Sequence, residues 1–111
     1  MGVGSCYDVR NMVVHIVFWR LHATANGRSK QENALEMKRR FEALRPLMPG
    51  LLRLDFGIDF AATEQSSDVA LYTEFESRAA LDAYQVHPAH KEVAAFLADL
   101  RSERRVVDYE M

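Results

Sequence analysis

The sequence predicts an α+β fold: one four-stranded antiparallel sheet with helices packed on one of its faces. Three observations carry this reading. Met12 to Leu21 is a continuous apolar run rich in Val, Ile, Phe and Trp, the pattern of a strand buried on both faces. Leu51 to Phe60 alternates apolar and polar residues, the pattern of a half-buried strand. Between and after these runs, helical periodicity and strand periodicity follow each other in the order β-α-β-β-α-β.

The first strand places Val13, His15, Val17 and Trp19 on one side and Val14, Ile16, Phe18 and Arg20 on the other. Helices can cover one side. The other needs a second sheet or a partner subunit. His22 to Arg28 is a loop with Asn26-Gly27 as its turn signal. Ser29 and Glu32 then form a Ser-x-x-Glu capping box. The helix that follows keeps Ala34, Met37, Phe41, Leu44 and Met48 on one side, and Pro49-Gly50 terminates it.

In the strand Leu51 to Phe60, Leu52, Leu54, Phe56, Ile58 and Phe60 face one way, and Arg53, Asp55 and Asp59 the other. Ala61 to Ser67 is a polar connection. Asp68 to Glu76 is a third strand with Val69, Leu71, Thr73 and Phe75 on one face. Ser77 caps a short helix carrying Leu81 and Tyr84. Pro88 excludes His87 from the α region and suits the first position of a new helix. The second helix is therefore broken at His87-Pro88. Its continuation, from Pro88 to about Ser102, places His90, Val93, Ala94, Leu97 and Leu100 on one side. Arg105 to Glu110 is the last strand. This is the split βαβ, ferredoxin-like arrangement. Its open face would expose Val14, Ile16 and Phe18, whose burial is worth roughly 1.5–3 kcal/mol each. A homodimer stacked through that face would cover them.

At 111 residues the chain is one domain, expected as an extension over 1–11 and a folded body over 12–111. A net charge of -2 gives no electrostatic reason to expect nucleic acid or an anionic membrane as partner. No apolar run approaches the roughly 18 residues of a membrane span. The single cysteine, Cys6, cannot form an internal disulfide, and residues 1–11 lack the pattern of a signal peptide. The expected location is cytoplasmic.

The chemistry concentrates in Tyr84-Gln85-Val86-His87-Pro88-Ala89-His90, two imidazoles and a phenol within one helix break. The positive end of the helix dipole disfavours an imidazolium at His90, leaving a neutral ring able to accept a proton. His90 reads as a general base, or as a buried histidine satisfied by Asp108 or a backbone carbonyl. Tyr84 reads as a phenol that orients a carbonyl, or as a core tyrosine whose hydroxyl reaches solvent. His15 lines a pocket or is structural. Asp108 fixes an imidazole tautomer or is an exposed strand-end aspartate. Trp19 and His87 are candidate ligand contacts, against plainer readings as a core or interface aromatic and as a helix N-cap. His87-x-x-His90 supplies too few ligands for a stable metal site, and the proline turns the two rings apart. No metal or organic cofactor is expected.

His15-Ile16-Val17-Phe18-Trp19-Arg20-Leu21, the Tyr84 to His90 segment and Val106-Val107-Asp108-Tyr109-Glu110 resemble the stress-responsive A/B barrel (Dabb) family, with support from Tyr72-Thr73-Glu74-Phe75-Glu76-Ser77. The resemblance spans residues 12 to 110 and implies a ferredoxin-like protomer in a dimeric α+β barrel. Plant members include a polyketide cyclase that closes a linear tetraketide by aldol condensation. There a histidine and a tyrosine of the corresponding helical segment transfer protons in a cavity between sheet and helices. The matching positions are His90 and Tyr84, with His15 and Asp108 in support. The cyclase has a further histidine on its third strand, where this sequence has Val69. Three functions are compatible with these residues. The first is a pocket for a small, largely apolar carbonyl compound, with or without proton transfer. The second is a non-catalytic dimeric stress-associated module. The third is a cofactor-free or haem-degrading monooxygenase of the same fold, against which the His-Pro-x-His element argues.

Overall fold

A computed structural model describes residues 11–111. The expected extension over 1–11, with Cys6, lies outside the described residues but for Asn11. The elements are β1 (Val13–Leu21), β2 (Thr24–Ala25), β3 (Arg28–Ser29), α1 (Lys30–Glu42), β4 (Leu51–Ile58), β5 (Val69–Phe75), α2 (Arg78–Val86), α3 (Pro88–Ala98) and β6 (Arg101–Glu110). A 3-10 turn spans Arg45–Leu47. The main sheet is antiparallel, in the order β4-β5-β1-β6. The expected ferredoxin-like order is therefore present.

β1 is apolar on both sides because it is an inner strand, flanked by β5 and β6. Its helix-side residues Val13, His15, Val17 and Trp19 are all buried. The open side is uneven. Phe18 is 40% exposed and Ile16 partly so, but Val14 is fully buried, so the expected exposure of all three holds for two. The Asn26-Gly27 turn closes the small β2-β3 hairpin, with positive φ at both residues (54° and 74°), as a two-residue hairpin turn requires.

α1 starts as expected. Ser29 Oγ accepts from Glu32 N, and the Glu32 carboxylate accepts from Ser29 N. It ends at Glu42 rather than at Pro49-Gly50. Pro46 is the cause, because its ring would clash with the carbonyl four residues earlier, that of Glu42. Leu44 and Met48 remain buried beyond the break. β4 stops at Ile58, and Phe60, expected on its inner face, is 98% exposed. α3 ends at Ala98 and β6 begins at Arg101, where helix to about Ser102 and strand from Arg105 are expected. The tight corner is made by Leu100, which is fully buried and whose carbonyl accepts from His22 N at 2.9 Å. β6 is an edge strand exposed on both faces, so no alternation in its sequence marks its start.

The core lies between the helices and the sheet, built on Met37 and Phe41 of α1, Leu54 and Phe56 of β4, Leu71 and Phe75 of β5, and Val93 and Leu97 of α3. No helix among the described residues is long and apolar enough to cross a membrane.

Candidate functional site

The break between α2 and α3 sets the site. His87 takes an extended conformation (φ -65°, ψ 134°), ends α2 and caps α3. Its Nδ1 accepts from Ala89 N at 3.0 Å. Its ring is thus spent on the cap, and it does not line the cavity where a ligand contact was expected. Pro88 occupies the first turn of α3, so His90 points from that turn toward the sheet.

A cavity of about 80 Å³ lies there, walled by His15, Val17 and Trp19 of β1, Phe41, Leu71, His90, Ala94, Leu97 and Arg104. Phe41 and Trp19 narrow it without filling it, their rings packed at 5.5 Å between centroids. Phe96 is drawn away by the Arg40 guanidinium, 3.7 Å above its ring. Ala94, expected to face inward, is exposed at the cavity's rim. A larger concavity of about 550 Å³ runs past Phe18, Ile58 and Phe60. Its only titratable group is Asp59, so it offers no proton donor and acceptor in one place. The smaller cavity is the one that brings two imidazoles and an indole together.

Among the described residues, three buried polar atoms lack any hydrogen-bond partner: Trp19 Nε1, Tyr84 Oη and His90 Nδ1. Two of their residues, Trp19 and His90, form cavity wall. Tyr84 stands outside the wall, its ring 4.3 Å from that of His90 and 6.3 Å from that of His15. The three rings expected to share the site thus lie together, with Tyr84 behind the cavity wall. The hydroxyl does not reach solvent, since Tyr84 is 1% exposed.

Asp108 pairs with His15, not with His90. The two residues face each other across β1 and β6, and His15 Nδ1 hydrogen-bonds to Asp108 Oδ1. A carboxylate can only accept, so Nδ1 of the His15 ring carries a proton. Thr73 Oγ1 donates to the His15 carbonyl at 2.7 Å and fixes the backbone from the other neighbouring strand.

Burial lowers the pKa of His90 below the ordinary imidazole value. The charge of Arg104 and the neighbouring His15 and His87 rings also disfavour its charged form, and the Gln85 backbone opposes this. His90 is thereby a neutral ring near pH 7. Burial pushes the Tyr84 phenol well above its ordinary range, so it stays protonated, although Arg104 acts in the opposite direction. The site thus combines a neutral base, an un-ionised phenol, a free indole N–H and a carboxylate-held imidazole. Arg104 is the wall residue that sequence reasoning misses. It lies on the same side of β6 as Asp108 and pairs with Trp19, a signal visible only once β6 is known to start before residue 105. Among the described residues, no three His, Cys, Asp or Glu side chains gather as a metal site would need.

The chain is similar over nearly its whole length to several solved structures. A dimeric ferredoxin-like protein of unknown function from Bacteroides fragilis is 27% identical, with a TM-score of 0.81 over 95% of this chain and 99% of that one. A second dimeric ferredoxin-like protein of unknown function, from a Jannaschia species, is 28% identical, with a TM-score of 0.71 over 91% and 100% of the two chains. The hydroxynitrile lyase of Passiflora edulis is 19% identical, with a TM-score of 0.77 over 92% and 94%, a likeness of fold alone. No curated protein sequence matches the chain. The sequence model of the stress responsive A/B barrel domain (Dabb) matches residues 13–111, and the chain belongs to that family.

Proposed function

We infer that the protein binds a small carbonyl compound in the cavity between sheet and helices and moves a proton on it. The observation that carries this reading is that two residues with unpartnered buried polar atoms, Trp19 (Nε1) and His90 (Nδ1), wall one small cavity, with the unpartnered Tyr84 hydroxyl behind them. Buried polar groups without partners cost about 1–3 kcal/mol each, and a ligand supplies the missing partner. The roles follow from the geometry. Trp19 Nε1–H holds the carbonyl oxygen. The neutral His90 ring takes a proton, on the nitrogen that carries its lone pair, from the carbon beside the carbonyl; the C–H electron pair passes into the enolate, and its oxygen stays hydrogen-bonded to the indole. Tyr84 packs His90 in place and keeps a protonated hydroxyl beside it. His15, held by Asp108, is the second imidazole of the wall. At about 80 Å³ the space suits a ligand of only a few heavy atoms, far below the roughly 300–1,000 Å³ of a drug-sized site.

The active unit is a homodimer formed through the open sheet face. Phe18, Val107 and Tyr109, each 40–47% exposed, share that face. The Bacteroides and Jannaschia relatives are described as dimeric. Sedimentation of a Phe18→Lys variant as a monomer supports this face; an unchanged dimer refutes it.

The functional test is hydrogen–deuterium exchange at the α carbon of small ketones in heavy water, followed by proton NMR. The wild type is expected to exchange diacetyl methyl protons faster than buffer, and His90→Gln to lose that excess with its fold intact. Exchange no faster than buffer across small ketones, or exchange unaffected by His90→Gln, refutes the assignment.

A further inference from the structure

We propose that the ligand of this cavity is an anion, a short-chain 2-oxo acid whose carboxylate is held by Arg104. The inference rests on the carbonyl reading above and adds the charge. Arg104 is a wall residue of the cavity and pairs across the strands with Trp19, whose Nε1–H is unpartnered although the residue is 3% exposed. Two donors, one of them a guanidinium, therefore border one small space, and a guanidinium fork matches a carboxylate.

The charges around Arg104 favour this use. Among the described residues, no carboxylate lies within ion-pair distance of it. On β6, Arg105 pairs with Glu103 at 3.2 Å. At the strand's end, Arg78 of α2 pairs with Glu110 at 2.6 Å. Asp108 is bound to His15 and borders a separate outer cleft with Arg78, Asp82 and Glu110. Among the described residues the cavity wall contains no acidic side chain: apart from Arg104 it consists of the two imidazoles, the indole and apolar side chains. Val17, Phe41, Leu71 and Leu97 give the apolar surface for a short alkyl remainder. At roughly 10–15 Å³ of probe volume per water, about 80 Å³ accommodates around six heavy atoms, the size of pyruvate.

Pyruvate and diacetyl differ by a carboxylate oxygen against a methyl group and are nearly equal in shape. The chain has one tryptophan, so a single indole N–H resonance reports on the cavity. Titration of the isotope-labelled protein with each compound is expected to shift that resonance, with pyruvate about tenfold or more tighter. Arg104→Gln should abolish the preference, bringing pyruvate to the level of diacetyl. Arg104→Lys should keep part of the preference. Arg104 is an exposed edge-strand residue, and the backbone amide spectrum checks that each variant is folded. Equal binding of both compounds, with no effect of Arg104→Gln, overturns the anion and leaves the carbonyl pocket standing. No shift with either compound overturns the anion together with the pocket.

Discussion

Replacing Tyr84 by phenylalanine should make the protein more stable, which is unusual for a change at a fully buried residue. The ring of Tyr84 packs against Phe75 at 5.1 Å and His90 at 4.3 Å between centroids, and phenylalanine keeps both contacts. What is lost is one oxygen, buried and without a hydrogen-bond partner. Such a hydroxyl costs about 1–3 kcal/mol in the folded state, because it gives up its water without compensation. The void left by one oxygen takes back part of this, at no more than about 1 kcal/mol for a methyl-sized gap. The net expectation is a gain of about 1 kcal/mol, or about 4 °C in melting temperature for a domain of this size. Urea unfolding followed by the fluorescence of the buried Trp19 measures it directly. A loss of about 1 kcal/mol or more would refute the reasoning, since it would mean that the hydroxyl is bonded in the folded state. The same variant should exchange ketone protons more slowly, because the protonated hydroxyl beside His90 is gone.

Gly50→Ala should destabilise by about 2–5 kcal/mol, combining about 1–2 for a left-handed alanine with about 1–3 for overpacking. Gly50 has φ 80°, and a Cβ there would lie 2.6 Å from the Ala80 Cβ of α2. Denaturant unfolding checks the value, and Ala80→Gly in the same chain should recover the overpacking part alone. The folded state should also weaken in acid. The pKa of His90 is lowered on folding, so its contribution is fully present above the unfolded value of 6.5 and is lost as pH falls below it. Urea midpoints measured from pH 7.5 down to pH 5 should decline, and the decline should be shallower in His90→Gln.

The elements legible in the sequence are those with one buried and one exposed face. β4, β5 and α1 announce themselves by alternation or by helical spacing, and the Ser29 and Ser77 caps are where their side chains predict. The break at His87-Pro88 is legible because proline acts on its own neighbours, whatever the tertiary context. Pro46 acts by the same rule, yet Leu44 and Met48 keep the apolar spacing across it and mask the end of α1. β6 is illegible at its start because an edge strand exposed on both sides carries no period. That single boundary hides Arg104, and with it the charge of the cavity. The His15–Asp108 pair depends on the register of β1 against β6, which periodicity does not supply. Both residues can be named from the sequence, but not that they belong to each other.

The corner at His87-Pro88 also explains why a cavity exists at all. A continuous helix from Arg78 onward would present one face to the sheet and pack it closed. Instead α2 ends, its last carbonyls and the first amides of α3 are served by the His87 cap, and α3 leaves in a new direction. The gap at the turn is bordered by the first turn of α3, where His90 is the inward residue, and by the β1 stretch from His15 to Trp19. Three unpartnered polar atoms beside that gap together cost on the order of 3–9 kcal/mol, a large share of the 5–15 kcal/mol by which domains are typically stable. Phenylalanine or leucine at those positions would give a tighter and more stable core. A chain that keeps a phenol, an indole and an imidazole there carries a standing instability, and a bound ligand that hydrogen-bonds to the two wall groups, the indole and the imidazole, removes part of it. Ligand binding and thermal stability should therefore rise together in this protein, more steeply than apolar burial of a few heavy atoms alone would give.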